Sequence, residues 1–240
     1  MKAAPEAQAR LLDIQKVDTQ ILSLNNERKN LPELAQLAQA KVEWNALGAA
    51  TIANNTKISD TEIEVDKAEK DLNPVRQRLE KNQKRIDDGS LGSKELNAMI
   101  DEVENLKRRV ATLEDEQLEV MERLESLNAE RDKLAKQRAE MQSAIKALLA
   151  RKDELVGVLD KKLAAAQAER VELTAAFPSD LLALYERIRD RAGGIGVGKL
   201  EGKRCSGCQL DQSPQAMDHY NSAPKDEVVR CESCDRILIR

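Results

Sequence analysis

The stretch AGGIGVGKLEGKRCSGC, Ala192–Cys208, carries two signals that imply different folds. Gly193–Lys199 matches the first seven positions of the phosphate-binding pattern G-x-x-x-x-G-K, and six residues later Cys205 and Cys208 form a C-x-x-C knuckle. The first signal would make the chain a nucleotide enzyme with a metal appendix. The second would make it a metal-folded module in which the glycines serve the backbone. A working phosphate loop needs Ser or Thr after its lysine to hold Mg2+, in a strand–loop–helix setting. Here Leu200 follows Lys199, and a charged helical stretch precedes the glycines. No remaining part of the chain can build an α/β nucleotide domain. No nucleotide site is therefore expected. The glycines read as ending the preceding helix and letting an edge strand pass close to the metal turn.

A second knuckle, Cys231 and Cys234, follows after a 22-residue spacer, and all four cysteines lie in the last 36 residues. Paired C-x-x-C knuckles at this spacing point to tetrahedral Zn2+ rather than disulfides. The expected cofactor is one structural Zn2+ per chain, held by Cys205, Cys208, Cys231 and Cys234. Four cysteines close the site, whereas a catalytic zinc keeps a position for water. His219, the only histidine, reads as an exposed residue of the inserted segment. Strand-like stretches abut the knuckles: Ile195–Leu200, Glu227–Arg230 and Ile237–Ile239. That is the layout of a zinc ribbon, with Pro214–Asn221 as a short helix or loop.

The rest of the chain has a different grammar. Of 240 residues 34% are charged and only 2% aromatic, the profile of long helices and coiled coils. From Leu37, every seventh residue reads Leu37, Trp44, Thr51, Ile58, Val65, Leu72, Leu79, Ile86. A second block begins near Ser93 with lanes through Leu96 and Met99, and 17 of its 23 lane positions are apolar. Sustained seven-residue spacing predicts a coiled-coil seam. Between the blocks, Asp87–Ser93 reads DDGSLGS, a helix stop followed by Ser93 as a cap. Residues 6–87 and 93–176 are almost equally long, which favours an antiparallel hairpin closed within one chain. At about 1.5 Å per residue each arm would be roughly 120 Å long. A parallel dimer with a flexible middle is the alternative, and a homodimer of hairpins stays open.

Pro32 should break the first arm near Asn30–Glu33, where an earlier seam (Ile14, Val17, Ile21, Leu24, Leu31) changes phase, giving a hooked arm. Pro74 should bend it more gently. Thr51 and Asn54 fall near Arg131 when reflected through the tip and are expected to fix register there. Trp44 reads as core, and Lys107-Arg108-Arg109 as a solvated face. Phe177-Pro178 ends the second arm. Ser179 or Asp180 then caps a shorter helix, Leu181 to about Arg191. The expected fold class is mainly α: a long kinked antiparallel coiled-coil hairpin followed by a small β zinc ribbon. The domains are 1–178 for the hairpin, with its tip near 87–93 and kink near 32, and 179–240 for the short helix plus ribbon. Arm and ribbon are expected to have separate cores.

Three stretches together resemble a known bacterial family that joins an N-terminal coiled-coil hairpin to a C-terminal four-cysteine zinc ribbon. They are LLDIQKVDTQI…LPEL from Leu11, GSKELNAMIDEVENLKRRVATLEDEQLEVMERLE from Gly92, and CSGCQLDQSPQ…VVRCESCDRIL from Cys205. The resemblance covers essentially the full length, and the ribbon motif is its most specific part. The alanine-rich arms resemble the actinobacterial branch and imply a mycobacterium-like source. The resemblance implies a non-enzymatic role and carries over the four cysteine ligands. Some members are associated with flagellar gene expression through messenger RNA and an alternative sigma factor, others with type III secretion components. No motif specific to either occurs in this sequence.

Function classes narrow accordingly. The start MKAAPEAQAR has no apolar h-region and no run of eighteen apolar residues occurs, so no signal peptide or membrane span is expected and a cytoplasmic location follows. A net charge of -4 and pI near 5.4 give no general attraction to nucleic acid. No acid–base or nucleophile constellation supports an enzyme. The first reading is a protein-interaction adaptor of unknown partner. The alternative is an RNA- or DNA-binding regulator acting through the ribbon, with Lys199, Lys203, Arg204 and Arg230 as the candidate phosphate contacts and Tyr220 as the one aromatic able to stack on a base.

Overall fold

The computed structural model describes every residue, Met1–Arg240. The elements are α1 (Pro5–Lys29), α2 (Pro32–Asp87), α3 (Ser93–Ala175), α4 (Ser179–Arg191), β1 (Val197–Glu201), β2 (Arg204–Cys205), α5 (Pro214–Ser222) and β3 (Ile237–Ile239). The fold is a long helical hairpin, broken between α1 and α2, followed by a small C-terminal sheet. The residues group into two units: Gln36–Leu148, and Met1–Ala35 with Leu149–Arg240.

In the first of these units the two halves pair antiparallel about the tip within one chain. Gly89 sits at φ 64, the left-handed conformation that ends a helix at little cost when no Cβ is present. The α3 start differs from the expected Ser93 cap, since the Gly92 carbonyl accepts the first helical bond, from Leu96. Leu72, Val110 and Leu113 are buried together in the seam, with Val75 and Leu79 packed on them. Pro74 is accommodated inside α2, whose helix runs through it. Cross-helix ion pairs join Glu64 to Arg123 at 2.6 Å and Glu114 to Arg76 at 2.6 Å, with Glu102 paired to Arg78. Such exposed pairs contribute little energy each but help define which residues face one another. Register is set by a different polar contact from the one expected. The Asn54 Nδ2 donates across the seam to the Leu127 carbonyl at 3.0 Å, while Thr51 bonds its own helix and Arg131 turns to Asp132. Trp44 is half-buried, with the Arg138 guanidinium 4.7 Å above its ring.

In the other unit, Pro32 opens α2 after a one-turn interruption in which Asn30 N–H bonds back to Asn26 and Glu27. Here the core is shared between arm and ribbon, contrary to the expectation of separate cores. Ala7, Leu11 and Ile14 from α1 are buried with Phe177, with Leu181, Tyr185 and Ile188 of α4, and with Val197, Val228, Ile237 and Ile239. The ribbon keeps a small cluster of its own around the cysteines, Ala216, Tyr220, Val229 and Leu238, and packs its remaining apolar residues on the amphipathic faces of α1 and α4. The N-terminus joins it as well: Val228 N–H donates to the Met1 carbonyl and Ala3 N–H to the Asp226 carbonyl.

A buried ionic cluster locks α1 to α3 and α4. The Asp18 carboxylate accepts from Arg170 Nε at 2.6 Å, Tyr185 Oη at 2.7 Å and Arg189 Nη1 at 2.9 Å. Burial works against this carboxylate, but the three hydrogen bonds outweigh it and hold its pKa below the usual 3.8. Its contribution to stability is therefore present above the ordinary carboxylate range and is lost as pH falls through the lowered folded value. Asp18→Asn should destabilise the protein by on the order of 3 kcal/mol, because it leaves two half-buried guanidinium groups without their charge partner. Thermal melts followed by circular dichroism should show a clear drop at pH 7 that narrows toward pH 3. An equal melting temperature at pH 7 would remove the cluster from the list of stabilising contacts. The hairpin has its own check. Glu64→Cys with Arg123→Cys should crosslink within one chain under a short bis-maleimide in dilute, zinc-loaded protein, and exclusively intermolecular products would indicate paired chains instead.

Candidate metal centre

The glycine-rich stretch leads into the site, and the structure says what each glycine does. Gly193 and Gly194 adopt φ 71 and 93 after α4, a geometry that L side chains rarely take. At Gly196 a Cβ would lie 2.7 Å from the Tyr185 ring, and at Gly198 one would lie 2.8 Å from the Gly207 backbone nitrogen. The close approach at Gly198 seats β1 directly against the first knuckle. The Gly196 N–H is already taken by Gln15 Oε1 at 2.6 Å, and Gln15 Nε2 donates to the Gly194 carbonyl at 3.0 Å. A carboxamide on α1 thus occupies part of what a phosphate cradle would need. One expectation is corrected here: β1 is the central strand, not an edge. It pairs antiparallel with β2 and parallel with β3, in the order β2-β1-β3. Glu227–Arg230 forms no strand and makes only isolated bridges.

The two knuckles are built alike. In the first, Gln209 N–H donates to the Cys205 carbonyl at 2.8 Å and Cys205 N–H to the Leu210 carbonyl at 3.1 Å. In the second, Asp235 N–H donates to the Cys231 carbonyl at 2.8 Å and Cys231 N–H to the Arg236 carbonyl at 2.8 Å. The residue after each second cysteine is left-handed, Gln209 at φ 62 and Asp235 at φ 63. Both positions hold non-glycine residues in a sparsely populated region, which persists only where the surroundings over-determine it.

The four Sγ atoms lie within 4.8 Å of one another, and Cys208 Sγ is 3.9 Å from Cys231 Sγ. Sulfurs bound tetrahedrally at about 2.3 Å from one Zn2+ are spaced about 3.8 Å apart, so the donor set fits the ion. Cys205 and Cys231 are buried, Cys208 and Cys234 half-buried. Burial is the main reason the Cys231 thiol is pushed up to about 12, and it raises Cys205 too. Left alone, these thiols would stay protonated at neutral pH. A dication reverses that balance, since a coordinating thiol is deprotonated outright. Around the sulfurs, Gln212 Oε1 lies 3.3 Å from Cys231 Sγ and accepts from the Tyr220 hydroxyl at 3.3 Å. Arg236 follows the second knuckle and donates to the Ile195 and Ala192 carbonyls at 2.9 and 2.7 Å, fastening the glycine stretch to the knuckle.

The other sequence candidates are scattered rather than gathered. Lys203 and Arg204 both pair with Asp211 at 3.1 Å, and Arg230 pairs with Asp235. Lys199 is exposed on β1. His219 is exposed on α5. Tyr220 is buried and its hydroxyl accepts from Glu232 N–H at 2.9 Å, so it is not free to stack on a base. Sequence reasoning missed Gln15, Gln212 and Arg236. Nothing in a polar residue's sequence neighbourhood says which carbonyl it will meet. No helix is long and apolar enough to cross a membrane.

Comparison with known proteins agrees with this architecture. Residues 14–193 match the model of the CT398-like coiled coil hairpin domain, and residues 204–238 that of the C4-type zinc ribbon domain. An uncharacterized protein of Mycobacterium tuberculosis is 33% identical over 244 aligned residues, covering 100% of this chain and 98% of its own. A solved structure from Mycobacterium smegmatis is 32% identical and superposes with a TM-score of 0.85, covering 100% of both chains. The CT398 structure from Chlamydia trachomatis, 19% identical with a TM-score of 0.70 over 97% of both chains, shares the fold. The C4-type ribbon and its four clustered cysteines bring one structural zinc.

Reduced, untagged protein should therefore contain one Zn2+ per chain by elemental analysis. Stripping the metal, or Cys231→Ser, should lower the melting temperature by on the order of 10 °C. Because the ribbon shares its core with α1 and α4, helical signal should fall too, beyond the small contribution of α5. A metal-free reduced preparation that melts unchanged would sink the assignment.

Proposed function

The chain belongs to the CT398-like coiled-coil hairpin family, and on that premise we propose that it is a non-enzymatic adaptor that binds other proteins. Residues 1–178 form the arm, and 179–240 the short helix and ribbon that present a rigid end. Cys205, Cys208, Cys231 and Cys234 hold a closed structural Zn2+ whose task is to keep that end folded. Four thiolates leave the ion no position for water, so it has no catalytic role. The observation that carries the adaptor over a nucleic-acid regulator is the state of the ribbon's basic groups. Lys203 and Arg204 share the Asp211 carboxylate and Arg230 pairs with Asp235, so two carboxylates of the ribbon itself offset most of the charge of these three cations. Phosphate binding needs uncompensated positive charge on one face. Tyr220, the candidate stacking platform, is buried.

Full-length protein used as bait in a lysate, with and without nuclease, tests the reading by mass spectrometry. Protein partners should survive nuclease treatment, and partners released by it would favour the regulator. Lys199 separates the classes further. Lys199→Ala should leave partner capture unchanged, and ATP or GTP should not shift the melting temperature, since a ligand of the folded state must raise it. If RNA or DNA is bound through Lys199, the same substitution should reduce the salt dependence of binding by about one unit of slope.

A further inference from the structure

Arg187 and Arg191 sit one helical turn apart on the exposed face of α4. The acidic side chains beside them are engaged elsewhere: Glu186 binds Arg170 and Asp190 binds Arg189. Both arginines line a cleft of about 450 Å³ between α4 and the second zinc knuckle, and Arg230 and Arg236 line its other side. Four arginines therefore line one cleft with the single carboxylate of Asp235. Two of the four are held in place from the knuckle side. Arg236 is fixed by the Ala192 and Ile195 carbonyls, and Arg230 by Asp235 and its backbone carbonyl. The lining is mostly polar, and Leu184 is its half-buried large apolar side chain, since Ile188 is buried in the core behind it. Counting charge along the ribbon alone hides this surface, because half of its arginines come from α4.

We propose that this cleft is the docking site for an acidic segment of a protein partner. That segment directs carboxylates at Arg187, Arg191 and Arg236 and rests an apolar side chain on Leu184. The proposal rests on the adaptor reading and names the partner chemistry it requires. Guanidinium groups match carboxylates bidentately, and fixed ones lose less freedom on binding than free side chains do. A phosphate chain would satisfy the arginines but leave Leu184 unused, and no aromatic side chain lines the cleft for a base to stack on. An acidic segment with an apolar anchor uses both features.

The test uses zinc-loaded full-length protein and a short fluorescein-labelled peptide with a Leu centre and Glu-rich flanks, followed by anisotropy. Binding should saturate, weaken with salt, and be about tenfold weaker in Arg187→Gln/Arg191→Gln, which removes two charge-assisted hydrogen bonds. Arg187→Lys/Arg191→Lys should recover only part of the loss, because it keeps charge without the planar fork. Both positions are exposed, so unchanged melting temperatures should confirm that the variants fold. No peptide binding, or equal affinity in the glutamine variant, overturns the proposal. Single-stranded RNA bound in place of the peptide and lost in the same variant would make the cleft a nucleic-acid site. Self-association abolished by that variant would assign it to a second copy of this chain, and either result also overturns the proposal. If the glutamine variant captures the same proteins from lysate as the parent, this docking site is wrong while the adaptor reading stands. If the parent captures none, the adaptor reading itself fails.

Discussion

Four thiolates gathered on one cation are the constraint from which the C-terminal part is built. The sheet has three strands, one of only two residues, and no regular pairing joins the two knuckles except through β1 and β3. A segment this small cannot exclude enough water to fold by apolar burial alone. The ion supplies the missing cross-link, and each knuckle prepares for it in the same way. A tight turn orients two sulfurs, and a left-handed residue turns the chain away afterwards. Burial of Cys205 and Cys231 ties the metal to folding, because without the ion these groups are neutral thiols in a weakly held core.

The second support comes from α1. Gln15 and Asp18 lie one turn apart and divide the work. Gln15 takes the polar backbone of the glycine stretch, and Asp18 collects two guanidinium groups and the Tyr185 hydroxyl. Tyr185 then packs on Gly196, where no side chain fits. The glycines that imitate a phosphate loop are therefore explained by a tyrosine, a knuckle and a carboxamide approaching the backbone closely. The Gly194 amide is spent on the Arg189 carbonyl and that of Gly196 on Gln15. Arm and ribbon are consequently one cooperative unit near the C-terminus, and loss of metal should be felt in α1 and α4.

Much of this was legible from residues alone, for physical reasons that also mark its limits. Seven-residue spacing reports which face of a helix is apolar, so α2 and α3 were visible, as were the stop at Gly89 and the break before Pro32. Cysteine spacing reports a metal because few other arrangements use thiols in pairs. What escaped was long-range. Ala7, Leu11 and Ile14 look like one more stretch of seam, and periodicity does not say that their partners include Val228, Ile237 and Ile239 rather than another heptad. Reflection through the tip placed Asn54 near Arg131, yet an asparagine amide is satisfied by any nearby carbonyl, and that of Leu127 is the one in reach. The central position of β1 depends on β3 arriving parallel beside it, which local pattern cannot encode.

Charge behaves the same way. Counted along the ribbon, acidic and basic residues balance, and Lys203 and Arg204 beside the first knuckle share Asp211, eight residues or fewer away in sequence. Local ion pairs of this kind weaken a field before it reaches a partner. The arginines of α4 differ because their acidic neighbours on the helix pair with other arginines, Glu186 with Arg170 of the Asp18 cluster and Asp190 with Arg189. The buried ionic cluster and the exposed arginine cleft are thus two consequences of one helix. Its inner side supplies Tyr185 and Arg189 to Asp18, and Arg170 of the same cluster also engages Glu186, the carboxylate next to Arg187. An electrostatic surface on this protein therefore depends on how its carboxylates are paired and not only on the net charge of a segment.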